Sequence, residues 1–110
     1  MQLMTKQIAE IMPPLYATEP IIAEHKTGAR ARREVIVKFF TPDANWTWYV
    51  YEGSPQEAPG GDWTFFGLVE GLESELGYFT LNELEAIVGP MGMKVERDIN
   101  YGKASIMGCV

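Results

Sequence analysis

The fold of this chain is decided by the stretch Phe39-Phe40-Thr41-Pro42-Asp43-Ala44-Asn45-Trp46-Thr47-Trp48-Tyr49-Val50-Tyr51. Six of its thirteen residues are aromatic, a residue class enriched in strands. Its centre holds Pro, Asp and Asn, which are turn formers, so the pattern predicts a strand, a tight reversal and a returning strand. We therefore expect this hairpin to anchor much of the buried surface.

The returning strand should present two different faces, because successive side chains of a strand point to opposite sides. One face is predicted to carry Trp46, Trp48, Val50 and Glu52, and the other Thr47, Tyr49 and Tyr51. Both faces hold aromatic residues, so we expect some of these rings to remain partly exposed.

Short-range signals predict two helices on either side of the strands. Thr5 can cap a first helix that ends at Pro13. Thr80 and Glu83 form a capping box that begins a second helix, and the Gly89-Pro90 pair ends it. Alternating or apolar runs predict strands over the ranges 34–40, 46–52, 63–70 and 75–79, with a last short strand after residue 90.

This order of elements predicts an α+β fold. Strands joined by short turns usually pair with their neighbours, so we expect an antiparallel sheet of four to five strands in a meander. The N-terminal helix and the helix of the C-terminal half should pack on it. Residues 17–33 and 53–62 are predicted to be flexible loops, and 102–110 a frayed tail.

The bulk composition is that of an ordinary globular chain. Its 110 residues suit one domain over 1–110 with a single core. The lone cysteine, Cys109, argues against a disulfide framework and a cysteine-based zinc site. No stretch resembles a signal peptide or a membrane span, so we expect a soluble, cytoplasmic protein with no membrane partner.

The charge is distributed unevenly along the chain. The formal net charge is −6, yet residues 39–93 contain nine acidic residues and no Lys or Arg. A negative field of this kind repels nucleic acid and favours a basic protein partner. The basic cluster Arg30, Arg32 and Arg33 lies outside that region and is read as a solvated loop that balances acidic surface elsewhere.

Several motifs, taken in order, resemble domain-of-unknown-function family 2958. They are Phe39-Phe40-Thr41-Pro42, Asn45-Trp46-Thr47-Trp48-Tyr49, Phe65-Phe66-Gly67-Leu68-Val69-Glu70-Gly71, Glu75-Leu76-Gly77-Tyr78-Phe79 and Val95-Glu96-Arg97-Asp98. The resemblance covers most of residues 3–98. It implies a small bacterial protein often carried by phages, plasmids and conjugative elements. It implies no reaction, cofactor or catalytic residue.

The sequence favours a non-enzymatic interaction protein with an acidic, aromatic surface, which could also mimic the phosphate backbone of DNA and counter a host defence. Exposed aromatic residues edged by carboxylates suit protein recognition. The candidate surface residues are Asp43, Asn45, Trp48, Tyr51, Glu52, Glu70, Glu73 and Glu75. No catalytic, cofactor-binding or metal-ligating residue is assigned, and the oligomeric state stays open.

Two other functional classes remain open at this point. A carboxylate-based or metal-dependent enzyme would use Asp43, Glu52, Glu70 or Glu75, since paired carboxylates serve as acid and base or hold a divalent ion. A nucleic-acid binder would use the Arg30, Arg32 and Arg33 cluster, although direct binding needs more positive charge than one cluster supplies.

Overall fold

The computed structural model describes residues 1–17, 34–57 and 61–109. Its elements, in chain order, are helix α1 (Lys6–Ile11), strands β1 (Val37–Phe40), β2 (Thr47–Pro55), β3 (Trp63–Glu70) and β4 (Ser74–Thr80), helix α2 (Leu81–Ala86), strand β5 (Glu96–Arg97) and helix α3 (Lys103–Ile106). The five strands form one antiparallel sheet in the order β4-β3-β2-β1-β5. The predicted α+β class and the meander of β1 to β4 are confirmed.

Local signals begin both predicted helices. The hydroxyl of Thr5 accepts a hydrogen bond from the Ile8 N–H at 3.2 Å, and that of Thr80 accepts one from the Glu83 N–H at 3.1 Å. Each threonine thereby satisfies an N–H that would otherwise have no partner inside its helix. Both helices bring an apolar residue into the core, where Ile8 and Leu84 are almost fully buried.

The core lies against one face of the sheet. Phe39, Phe65 and Phe79 come from three strands, and the ring centroids of neighbouring members are 5.9 Å and 5.8 Å apart. Trp48 and Val50 of β2 are buried on the same side. The aromatic hairpin therefore anchors the core, because it supplies rings to the centre of a packed apolar layer.

A β-bulge in β2 corrects the predicted faces of that strand. Val50 pairs with Gly67 and Glu52 pairs with Phe66, so Tyr51 is an extra residue between two consecutive residues of β3. An inserted residue shifts the alternation by one position. Glu52 therefore shares a face with Phe66 rather than with Trp48 and Val50, contrary to the sequence-based assignment.

Strand β2 also continues further than predicted. Residues Gly53 to Pro55 belong to the strand and not to the 53–62 loop, and within that loop residues 58–60 lie outside the described residues. The reason is pairing with β3, where Gly53, Ser54 and Pro55 face Phe65, Thr64 and Trp63. The Gly53 N–H also donates to the Pro13 carbonyl at 2.9 Å. The Ser54 hydroxyl also accepts from the Leu15 N–H at 3.0 Å.

The C-terminal segment forms helix α3, where the sequence predicted a frayed tail over 102–110. The N–H groups of Lys103 and Ala104 donate to the carbonyls of Val35 and Ile36, just before β1. The guanidinium of Arg97, which is itself buried, donates to the Cys109 carbonyl at 3.0 Å. These long-range bonds could not be read from a segment with so weak an apolar pattern.

Two further predictions concern the last strand and the 17–33 loop. The last strand is β5 at Glu96–Arg97, paired with β1, and the preceding chain forms only an isolated bridge between Val88 and Lys94. The 17–33 loop and its arginine cluster lie outside the described residues, apart from Ala17. Among the described residues, no helix is long and apolar enough to cross a membrane.

Candidate interaction surface

Trp46 occupies the end of the sheet where the β1–β2 turn closes. The turn is held by Thr41, whose N–H donates to the Trp46 carbonyl at 3.0 Å while its hydroxyl accepts from the Trp46 N–H at 3.1 Å. The same hydroxyl donates to the Ala44 carbonyl at 3.0 Å. Because Thr41 is buried and its polar groups are satisfied, the backbone of Trp46 is fixed.

The indole of Trp46 is supported on two sides yet remains accessible. It stacks on Trp48 with ring centroids 6.2 Å apart and an interplanar angle of 25°. It also packs against Gly71, where a Cβ atom would collide with the ring. Even so, 41% of Trp46 is exposed, against 6% of Trp48. A large aromatic side chain is therefore held at the surface in a defined position.

Acidic and apolar side chains surround this indole on the side of the β3–β4 hairpin. A cavity of about 310 Å³ lies on this side, and we call it the Trp46 edge. Its lining residues are Trp46, Val69, Leu72, Glu73 and Glu75. Leu72, at the tip of the hairpin, is 96% exposed. Neither glutamate forms an ion pair with any residue of the described chain.

A second cavity, of about 370 Å³, shares the Trp46 indole and is mainly apolar. We call it the apolar cavity, and its lining residues are Thr41, Ala44, Trp46, Trp48, Ile87, Val88, Gly89 and Pro90. Its outer wall comes from the chain that follows helix α2. Val88 in this wall is 56% exposed.

Asp43 fixes that outer wall. One carboxylate oxygen, Oδ2, accepts hydrogen bonds from the Met91 N–H at 2.7 Å and the Met93 N–H at 3.3 Å. The carboxylate packs so closely on Gly89 that a side chain at that position would collide with it. Oδ1 is buried and has no hydrogen-bond partner among the described residues. Asp43 therefore holds the 89–93 segment against the β1–β2 turn and does not present a free carboxylate at the surface.

The opposite face of the sheet carries a different set of charges. Lys38 lies 3.6 Å from the carboxylate of Asp98, and its ammonium is 5.0 Å from the ring centroid of Tyr101 and 5.6 Å from that of Tyr49. Burial raises the pKa of the Tyr49 hydroxyl, and the negative charge of Glu70 raises it further. This face borders a cavity of about 580 Å³ whose lining includes Lys38, Asn45, Glu70 and Asp98.

The three glutamates of the β3–β4 hairpin do not share one face. Glu75 pairs with Val69, which in turn pairs with Trp48, so Glu75 is on the core side of the sheet. Glu70 pairs with Thr47 and Ser74 and points to the Lys38 side. Glu73, in the turn between the strands, lines the Trp46 edge together with Glu75.

Three predicted surface residues are buried, which corrects their assignment. Trp48 and Tyr51 are each 6% exposed, and Glu52 is 1% exposed. The Glu52 carboxylate accepts a hydrogen bond from the Tyr16 N–H at 2.8 Å, which fastens the N-terminal segment to β2. Trp48 is buried in the core beside Phe39, while Tyr51 and Glu52 lie at the bulge in β2. Their side chains cannot form part of an exposed interaction surface.

The structure gives no support to a carboxylate-based active site. The carboxylate of Asp43 accepts a hydrogen bond from the Met91 N–H, and that of Glu52 accepts one from the Tyr16 N–H. Glu70 and Glu75 point to opposite faces of the sheet. Within residues 1–17, 34–57 and 61–109, no group of three or more His, Cys, Asp or Glu side chains could hold a metal ion. The acids that the sequence grouped for catalysis are thus separated in space.

A comparison with known families identifies the chain. The family described as "Protein of unknown function (DUF2958)" matches residues 15–108. The chain belongs to this family. No curated protein and no solved structure matches the chain.

The candidate surface of this DUF2958 protein includes two residues that the sequence-based site omitted. Trp46 was assigned to one face of the returning strand but not to the candidate surface, and Leu72 was given no role. One signal could have found Leu72, because an apolar residue between Gly71 and Glu73 at a turn tip has no core to enter. The exposure of Trp46 depends on Gly71, a contact between residues 25 positions apart, and had no such signal.

Proposed function

We propose that this DUF2958 protein is a non-enzymatic interaction module that binds a basic protein partner through the Trp46 edge. The observation that carries the proposal is an exposed indole beside a 96% exposed leucine and two glutamates without an ion pair in the described chain. Trp is among the residues that most often dominate binding energy at protein interfaces. Glutamates without an internal partner provide the complementary charge for a basic surface.

The chemistry of the Trp46 edge supports a cationic ligand group in particular. A Lys or Arg side chain over an indole gains roughly 0.5–2 kcal/mol from the ring quadrupole. Nearby carboxylates add a charge-assisted hydrogen bond to the same group. Val69 and Leu72 offer apolar surface for the aliphatic part of a long basic side chain.

The biological setting is carried over from the family resemblance. Proteins similar to this one are often carried by phages, plasmids and conjugative elements, so we place its partner among host or defence factors that such elements meet. A basic partner of this kind would often be a nucleic-acid-binding protein, since those proteins carry basic patches.

The test is a charge reversal with a matched control. The double variant Glu73→Lys/Glu75→Lys should lose the salt-sensitive partners recovered by affinity purification from the native host. The control Glu57→Lys/Glu85→Lys reverses the same amount of charge at two exposed acids away from Trp46 and should retain them. An unchanged set of partners in the first variant would contradict the proposal.

A second experiment distinguishes a plain acidic docking surface from a phosphate mimic. If the Trp46 edge takes the place of DNA on the partner, duplex DNA should compete with this protein for the partner. If it docks elsewhere, both ligands should bind together. The plain version has more support, because Asp43 and Glu52 are committed to internal contacts and leave fewer carboxylates to match phosphates.

A further inference from the structure

The apolar cavity on the other side of the Trp46 indole is left unused by the proposed function. Its volume of about 370 Å³ lies within the range of small-ligand sites. Indole rings and the aliphatic side chains of Ile87, Val88 and Pro90 form most of its lining. None of the described residues that line it is charged, in contrast to the Trp46 edge.

The walls of this cavity are held in place by contacts that do not involve a ligand. The stacked pair Trp46 and Trp48 forms the inner wall, and Trp48 is buried in the core. Asp43 holds the outer wall in place, because its carboxylate accepts hydrogen bonds from the N–H groups of Met91 and Met93, which come just after the wall residues. The turn there is closed further by a 2.8 Å bond from the Gly89 N–H to the Met93 carbonyl. A preformed cavity avoids part of the ordering cost of binding.

The Trp46 indole is a common wall of the apolar cavity and the Trp46 edge. One cavity has two acidic side chains, and the other is apolar. A ligand that fills both must therefore carry a positive group and an apolar group close together. In an extended peptide, residues i and i+2 point to the same side and lie roughly 7 Å apart, a spacing comparable with the length of an indole.

We infer that a single extended segment of the basic partner occupies both cavities, with a Lys or Arg side chain at Glu73 and Glu75 and an apolar side chain two residues away in the apolar cavity. The inference rests on the proposed function and adds the sequence pattern of the ligand. The charge complementarity of the Trp46 edge selects the basic residue. The absence of charge in the described lining of the second cavity selects the apolar one.

The experiment uses synthetic peptides and protein labelled with 5-fluorotryptophan. The peptides are acetyl-Gly-Arg-Gly-Leu-Gly-amide, one form with Leu replaced by Ser and one with Arg replaced by Glu. Binding is followed by the fluorine signal of Trp46, which is assigned with the variant Trp46→Phe. Replacing Leu by Ser should weaken binding roughly tenfold, because the buried apolar group is lost. Replacing Arg by Glu should abolish binding.

Two protein variants separate the cavities. Val88→Ser changes the exposed wall of the apolar cavity and should weaken the Leu peptide several-fold while leaving the Ser peptide unchanged. Glu73→Lys/Glu75→Lys should abolish binding of both. Val88 is 56% exposed, so its replacement should leave the fold intact, as circular dichroism can verify.

Each outcome bears on one of the two proposals. If the Leu and Ser peptides bind equally and the charge reversal removes both, the inference about the apolar cavity is overturned and the proposed function stands. If the charge reversal leaves binding of the Arg peptide unchanged, the proposed function fails. If no peptide shifts the Trp46 signal at millimolar concentration, the two-cavity ligand is overturned.

Discussion

Two regions of this molecule use the same residue types for opposite purposes. In the interior of β2, Trp48 and Glu52 are 6% and 1% exposed and hold the core and the N-terminal segment together. At the end of the sheet, Trp46 is 41% exposed and borders Glu73 and Glu75. Trp46 and Trp48 are two positions apart and belong to the same stack of rings.

The difference lies in what covers each side chain. Trp48 is inside β2, where it pairs with Phe39 of β1 and Val69 of β3, and the core closes over it. Trp46 lies just before the first residue of β2, where Gly71 and the ring of Trp48 support its indole and leave 41% of the residue exposed. Position along a strand therefore decides whether a tryptophan stabilises the fold or remains available to a partner.

The largest expected contrast is in stability after truncation of the two tryptophans. Trp48→Ala should lower the free energy of unfolding by about 3–5 kcal/mol, since it removes a buried aromatic side chain and leaves a cavity. Trp46→Ala should lower it by only about 1–2 kcal/mol, because much of the ring is already in water. Urea denaturation measures both.

The comparison of tryptophans would fail if the two variants were equally stable. It would be sharpened if Trp46→Ala kept its fold and lost the peptide signal, because binding and folding would then be separated in neighbouring residues.

The buried Glu52 should contribute more to the free energy of unfolding than the exposed Glu75, and the losses should be smaller than that for Trp48→Ala. Glu52→Ala removes the acceptor for the Tyr16 N–H and should cost about 1.5–3 kcal/mol, the range for a hydrogen bond to a charged group. Glu75→Ala, at the surface, should change stability by less than about 0.5 kcal/mol. Urea denaturation of the pair gives the difference.

Glu52→Gln serves as the control for hydrogen bonding, since its amide oxygen can still accept from Tyr16. We expect a smaller loss than with alanine. A Glu75→Ala variant as unstable as Glu52→Ala would show that the Trp46 edge is part of the structural core after all.

The smallest predicted effect concerns the opposite face of the sheet, at alkaline pH. The pKa of Tyr49 is raised above its ordinary value of 10.0, first by burial and then by the charge of Glu70. The unfolded chain therefore loses this proton before the folded chain does, so the contribution to stability is complete below pH 10 and is lost as pH rises through the folded pKa. Tyr49→Phe should make the alkaline decline in stability shallower.

Two glutamate variants place this effect on one face. Glu70→Gln should lower the pKa of Tyr49 towards its ordinary value. The titration is followed by tyrosinate absorbance, and the separate variant Tyr49→Phe identifies the part of the signal that belongs to Tyr49. Glu75→Gln should leave it unchanged, because Glu75 points to the other side of the sheet. Equal shifts from both would contradict the separation of the two acids.

Much of the fold could be predicted from short-range patterns. Thr5 and Thr80 mark helix starts because a side-chain oxygen beside a free N–H is a local event. The β1–β2 hairpin follows from apolar strands on either side of turn residues. The extension of β2 and helix α3 could not be predicted in this way, since each depends on partners from another segment, residues 63–65 of β3 for the end of β2 and Val35 for Lys103.

The site was predicted less well than the fold. Glu73 and Glu75 were chosen on charge alone and do lie beside an exposed aromatic ring. Trp48, Tyr51 and Glu52 were chosen as aromatic and acidic residues of the hairpin, yet all three are buried, and the alternation of β2 is interrupted by the bulge at Tyr51. Asp43 was chosen as a free acid, although its carboxylate binds the backbone near Met91, 48 residues further along the chain.

The sequence by itself determined the strand meander, the helix starts, the base-free region and the family. All of these depend on residue types and spacings within a few positions, where local propensity and hydrogen bonding act. Only the tertiary structure decided which acids and rings face solvent. That outcome depends on contacts between segments distant in the chain, such as those of Tyr16 with Glu52, Met91 with Asp43 and Gly71 with Trp46.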